Sequence, residues 1–209
     1  MADVMKTKDN ARPKLFNARY VAGVAMLSAI AFILMYIEIV IPIMPSFIKF
    51  DFSDLPAVIG AFAYGPLAGV IIELLKNLIH LPFTGSAMIG ELSNFILGAS
   101  FVFVTGLIYK FKKTKSGALV AGLAGSIVMG AVSVVTNFFI IYPMYYSVLK
   151  FPEEAVLGMY QAILPSMKNI MQCLLVFNLP FTIVKGLISV IITMFVYKPL
   201  SPLLHGRER

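Results

Sequence analysis

Charge is scarce in this 209-residue chain: Asp, Glu, Lys and Arg make 13% of it, while hydrophobic residues make 59%. Soluble domains carry about 25% charged and about 45–50% apolar residues, so there is too little polar side chain here to cover a water-exposed fold. Cysteine occurs once, at Cys173, which excludes an internal disulfide. With only His80 and His205 to help it, Cys173 builds no metal cluster. Tryptophan is absent, so 17 Phe and 9 Tyr carry all the aromatic surface. The usual signatures of chemistry are missing as well. There is no GxxxxGK[ST] nucleotide loop, no HExxH, no Ser-His-Asp set and no carboxylate pair at metal spacing. A mean hydropathy of +0.90 leaves no room for a disordered, collagen-like or coiled-coil chain.

What is present is a series of long apolar runs, the mark of a polytopic all-α membrane protein. A helical span needs about 20 apolar residues to cross a hydrocarbon core about 30 Å thick. The first run covers 20–41 and is expected to end at Pro42 and Pro45. The run 55–81 is too long for one upright helix, and Gly65-Pro66 divides it into two short elements. Further spans are expected over 89–109, 117–142 and 169–197, with an external loop of roughly 25 residues before the last. The net charge of +7 is read as membrane sidedness and not as nucleic-acid binding, for which no motif exists. Lys6, Lys8, Arg12, Lys14 and Arg19 precede the first span, Lys110, Lys112, Lys113 and Lys115 follow the fourth, and Lys198, Arg207 and Arg209 close the chain. All three clusters fall on the cytoplasmic side only if six helical elements are counted, with both termini inside. The expected organisation is a basic tail (1–19), a six-helix transmembrane domain (20–198) and a short cytoplasmic tail (199–209).

Polar side chains within apolar spans are costly, about 2.5–3.5 kcal/mol for a charge on insertion scales, so their positions carry the functional signal. Glu73, Lys76, Asn77 and His80 form one stripe by spacing. The stripe either faces a polar cavity or is a local Glu73–Lys76 pair with His80 at the external interface, and the second reading is preferred because the pairing is enough to explain insertion. Glu91 is either a cap-region acid or a ligand contact, and Asn94 lies one turn deeper on the same face. Asn137 either bridges helices or faces a site. Gly117, Ala121, Gly125, Gly130 and Ala131 read as packing surface. The last span holds Asn178, Pro180 and Lys185. The proline frees the carbonyl of Val176, and Lys185 either snorkels to the cytoplasmic interface or is buried beside Asn178. Amides, one cation and many aromatics suit a planar, amide-rich small molecule. In the first span, Ala25 and Ala29 make a small-xxx-small motif, used either inside the bundle or for a partner helix.

The segments Lys49-Phe-Asp-Phe-Ser-Asp-Leu-Pro56, Glu91-Leu-Ser-Asn-Phe95 and Phe177-Asn-Leu-Pro-Phe181, with Lys185-Gly186 and the Ala25/Ala29 motif, resemble the S components of energy-coupling-factor (ECF) vitamin transporters. Nearly the whole chain takes part, and within that family the riboflavin-specific type is the most similar. The resemblance implies a bacterial plasma-membrane protein that binds riboflavin, with flavin mononucleotide (FMN) as a second flavin to consider. It implies a substrate site at the external side formed by Lys49, Asp51, Glu91, Asn94, Asn137, Asn178 and Lys185. It also implies that Ala25 and Ala29 dock a transmembrane coupling subunit that carries two ABC-type ATPases. No catalytic residue, metal or cofactor is expected. Two other classes remain open on sequence: an integral membrane enzyme using Glu73, His80 or Glu91, and a stand-alone secondary transporter using Glu73, Lys76 and Lys185. The absence of a catalytic motif and of an inverted repeat disfavours both.

Overall fold

A computed structural model describes residues 18–205. The basic residues Lys6, Lys8, Arg12 and Lys14, and Arg207 and Arg209 at the other end, lie outside the described residues. The first helix, α1, runs over Ala18–Met35 and buries Gly23, Val24, Leu27, Ser28 and Ala31 against the bundle. It stops six residues before the expected end. Ile37, Ile39 and Val40 are β-branched, and Ile39–Val40 (β1) pairs antiparallel with Lys49–Phe50 (β2) instead of extending the helix. Pro42 and Pro45 therefore sit in the connection between these strands, not at a helix end.

The run 55–81 is divided as the sequence predicts. Helix α2 spans Asp54–Tyr64 and α3 spans Pro66–His80, joined at Gly65 with φ of +101°. Only glycine adopts that backbone without strain, and Pro66 pre-sets the first turn of α3. A single 3₁₀ turn, Leu81–Phe83, and a short loop lead to α4, Ile89–Phe111. Helix α5, Lys115–Thr136, is capped by Thr114, whose side chain accepts from the Gly117 amide at 3.0 Å. It continues through a five-residue π turn, Asn137–Ile141, into α6, Tyr142–Val148. The expected external loop is thus largely helical, holding α6 and then α7, Glu153–Gln161. Helix α8, Ile170–Cys173, passes through a second π turn, Leu174–Asn178, into α9, Leu179–His205.

Five of these continuous helices are long and apolar enough to cross a bilayer; Asp54–Tyr64 is shorter. With 11 residues it rises only about 16 Å. Contacts at its far end show where it goes. The Tyr64 ring meets Tyr20 at 5.5 Å, and Phe62 meets Tyr109 at 4.1 Å and Tyr197 at 6.1 Å. The start of α1, the Gly65 turn, the end of α4 and a late turn of α9 therefore share one end of the bundle. Arg19 and the cluster Lys110 to Lys115 flank that end. The β hairpin and α7 belong to the opposite end.

The small residues of α5 do pack, with one exchange. Gly122 accommodates Val190, Gly125 faces Thr105 and Phe101, and Gly130 faces Leu179 and Ile183. Ala121 is buried, whereas Ala131 points outward and takes no part. These close approaches bring α5 against α4 and α9 and leave a space toward the hairpin end, where side chains on all three helices are polar.

Candidate functional site

That space is a cavity of about 450 Å³. Lys49, Asp51, Glu91, Asn94, Asn137, Asn178 and Lys185 all line it, so the seven residues singled out by sequence meet around one volume. Asp54, His80, Ser133, Tyr142 and Thr182 line it as well and were not among them. Asp54 is an acid just before a helix, which in sequence looks like an ordinary N-terminal residue. His80 was set at the interface, and its stripe partner Lys76 at a local pair.

The floor of the cavity is ionic. Lys76 is fully buried and its ammonium lies 2.7 Å from Asp54 Oδ1, 2.7 Å from Ser53 Oγ and 2.8 Å from Glu73 Oε2. The expected Glu73–Lys76 pair is present, but Lys76 also ties α3 to the start of α2. A Cβ on Gly98 would collide with the Glu73 carboxylate, so that glycine makes room for the acid. Lys185 reaches Asp51 Oδ2 at 2.9 Å and Asp54 Oδ2 at 3.2 Å. It does not snorkel to the basic end; it is buried and clamps α9 to the hairpin exit. Asp51 also accepts the Ser53 amide at 2.8 Å through Oδ1. Each such charge is costly to desolvate, and the pairs hold only because every ammonium here meets a carboxylate at contact distance.

The rim is different. Lys49 pairs with Glu38 between two half-exposed side chains, a geometry of small energetic weight. On the far rim, Glu91 accepts from Thr84 Oγ1 at 2.8 Å and Ser86 Oγ at 3.4 Å, and lies 2.8 Å from His80 Nδ1. The acid in the first turn of α4 thereby holds the loop that precedes it.

The wall between floor and rim is made of amides and phenols. Asn94 Oδ1 accepts from Asn77 at 3.4 Å. Asn137 donates to Ser133 Oγ at 3.1 Å, one helical turn back. Asn178 lies between Tyr142 and Tyr160. Asn137 and Asn178 each sit in one of the two π turns. A π turn inserts one residue into the helical ladder and re-aims the side chains around it, and such turns concentrate at functional sites. The second ends two residues before Pro180, where the missing backbone donor frees a carbonyl. Next to the main cavity lies an apolar recess of about 190 Å³, lined by Phe47, Tyr142, Tyr145, Leu149, Phe151, Val156 and Met159.

Ala25 and Ala29 are far from this chemistry. Both are exposed on α1, together with Ala22, on the face turned away from Val24, Leu27 and Ala31. Use of the motif inside the bundle is thereby excluded.

The fold and the cavity define a polytopic helical membrane protein that encloses a small-molecule site near one end of its bundle. Residues 19–197 match the family described as ECF transporter, substrate-specific component. The chain belongs to that family. It is 33% identical over 178 residues to the riboflavin transporter RibU of Staphylococcus aureus (strain TCH60), covering 85% of this chain and 88% of that one. It is 31% identical over 182 residues to the riboflavin transporter FmnP of Bacillus subtilis (strain 168), covering 86% and 90%. Among solved structures, the S component of a bacterial ECF transporter superposes with a TM-score of 0.71 at 32% identity, over 91% of this chain and 99% of that one. Membership in a transporter family sets aside the membrane-enzyme alternative.

Proposed function

We propose that this chain is the riboflavin-binding S component of an ECF-type importer in a bacterial plasma membrane. The observation that carries this is the cavity itself: three Asn side chains and Tyr142 and Tyr145 lining one volume of about 450 Å³, in the size range of small-molecule sites. The amides of Asn94, Asn137 and Asn178 match the donors and acceptors of a flavin's polar edge and ribityl chain. Phe47, Tyr142 and Tyr145 offer ring faces to the isoalloxazine, and the adjoining apolar recess suits its dimethylbenzene end. Relatives named as riboflavin transporters support the same substrate.

Residues 20–198 form the substrate-binding domain in this assignment, with both termini and the basic end in the cytoplasm. The cavity then opens toward the external face, and α2 completes the count of six legs. Ala25 and Ala29 dock the coupling subunit, which two ABC-type ATPases drive so that the vitamin is released inside. Lys185 and Asp51, assigned to the ligand by sequence, hold the cavity floor to the hairpin and contribute at most one side to it. The test is titration of detergent-purified protein into riboflavin. Flavin fluorescence is expected to quench to a plateau at one ligand per chain without ATP. No quenching at micromolar protein, with another vitamin bound instead, rejects the substrate while leaving the family intact.

A further inference from the structure

Tyr160 lies on α7, outside the membrane-spanning helices, and is not among the residues lining the cavity, yet it is completely buried. Its ring is held between Phe47 and Phe177, with centroids at 6.2 and 5.3 Å. Its hydroxyl meets two cavity residues. Tyr160 and Asn178 Oδ1 are 2.6 Å apart, Asn178 Nδ2 and the Tyr142 hydroxyl 3.2 Å, and the two hydroxyls 2.5 Å. The lengths set the direction. The 2.6 Å separation is that of an O–H···O bond and the 3.2 Å separation that of an N–H···O bond. Tyr160 therefore donates to the amide oxygen, and the amide nitrogen donates to Tyr142. With the single Tyr160 hydrogen already used, Tyr142 donates to Tyr160. The three bonds close a ring in one sense. Burial pushes the Tyr160 phenol above its ordinary pKa, so it keeps the proton it donates.

An Asn amide has two N–H donors and two oxygen lone pairs. The ring uses one of each, leaving one N–H and one lone pair for the cavity. To turn the amide over, both of its bonds must break and the bond between the two hydroxyls must reverse its sense. We propose that Tyr160 is a positioning residue: from outside the cavity it fixes which edge of the Asn178 amide the ligand meets. This rests on the riboflavin assignment above. Asn178 is the ligand contact, and Tyr160 acts only through it.

The test is a double-mutant cycle on the full chain, read by riboflavin fluorescence quenching. Tyr160→Phe keeps the packed ring and removes both hydroxyl bonds, the one donated to Asn178 and the one accepted from Tyr142. It is expected to weaken riboflavin binding about tenfold, as loss of a buried hydrogen bond does. In an Asn178→Ala background the same substitution is expected to change affinity less than about twofold, because the group it positions is gone. Full, additive loss in both backgrounds overturns the assignment and makes Tyr160 a packing residue. A second measurement needs no ligand: solvent exchange of the Asn178 side-chain amide protons by NMR, identified by difference from Asn178→Ala. One proton, donated to Tyr142, is expected to be protected in the unsubstituted protein and to exchange faster in Tyr160→Phe, where the amide oxygen loses its donor and the side chain is free to turn. Fast exchange of both protons in the unsubstituted protein shows that the ring does not exist. If the unsubstituted protein fails to bind riboflavin, the substrate assignment falls and the exchange result alone decides the ring.

Discussion

Lys76 and Lys49 show how little the residue type alone says. Both carry the same ammonium, but Lys76 is buried among Ser53, Asp54 and Glu73, while Lys49 meets Glu38 at the rim. Removing one partner from a buried ionic cluster strands the others and typically costs about 3–5 kcal/mol. An exposed pair is worth about 0–1 kcal/mol. Lys76→Met is therefore expected to lower the melting temperature in detergent sharply, and Lys49→Met to leave it nearly unchanged. Equal shifts would mean that the cluster is hydrated and of ordinary surface character. The amides at 94, 137 and 178 were legible in sequence because each interrupts an apolar run, where a polar group is expensive and needs a purpose. Asp54 was not, since an acid at the start of a helix is commonplace. Nor was Tyr160, since a tyrosine in an irregular, half-polar stretch carries no periodic signal. The partners of Lys185 lie 134 residues away at Asp51, a distance that no local pattern encodes.

At the scale of the element, breaks matter more than helices. The Gly65-Pro66 boundary between α2 and α3 was readable because glycine and proline act through their own backbone. The end of α1 was not, because it depends on pairing with residues 49–50 further along. Nor were the π turns, which change the ladder without changing the apolar pattern. At Gly65 a Cβ would touch nothing within 4 Å, so any cost of a side chain there is pure backbone strain. Gly65→Ala is expected to destabilise the protein by about 1–3 kcal/mol, seen as a lower melting temperature with ligand affinity retained. An unchanged melting temperature would show that the turn relaxes freely. The outer face of α1 gives an opposite kind of expectation. Ala25→Leu with Ala29→Leu adds bulk only where the helix is exposed, so riboflavin binding should persist. Uptake by cells that supply the coupling subunit and ATPases should fall, because small residues are what permit close helix approach. Normal uptake in the double variant places the docking surface elsewhere.

For the whole molecule, the charge balance around the cavity sets what it admits. Glu38, Asp51, Asp54 and Glu91 line it against Lys49 and Lys185, and each of those lysines already has a carboxylate partner. A phosphomonoester carries about 1.5–2 negative charges at neutral pH. Riboflavin is expected to bind at least about tenfold more tightly than FMN, the repulsion of a single like-charge contact being worth that much in a partly buried site. Parallel quenching titrations of the two flavins decide it, and equal affinities would place the phosphate outside the cavity. The ionic floor that produces this balance also constrains how the chain is made. Asp51 and Asp54 enter the membrane among the first third of the residues, and Lys76 follows closely for Asp54. The ammonium that reaches Asp51 belongs to residue 185, on the final helix. During synthesis the early helices therefore wait with a carboxylate short of its counter-ion until the last one is inserted. Completion of the chain, and not the formation of any early hairpin, is the event that seals the bundle, and a ribosome stalled before the final span leaves a nascent protein marked by that unmatched acid.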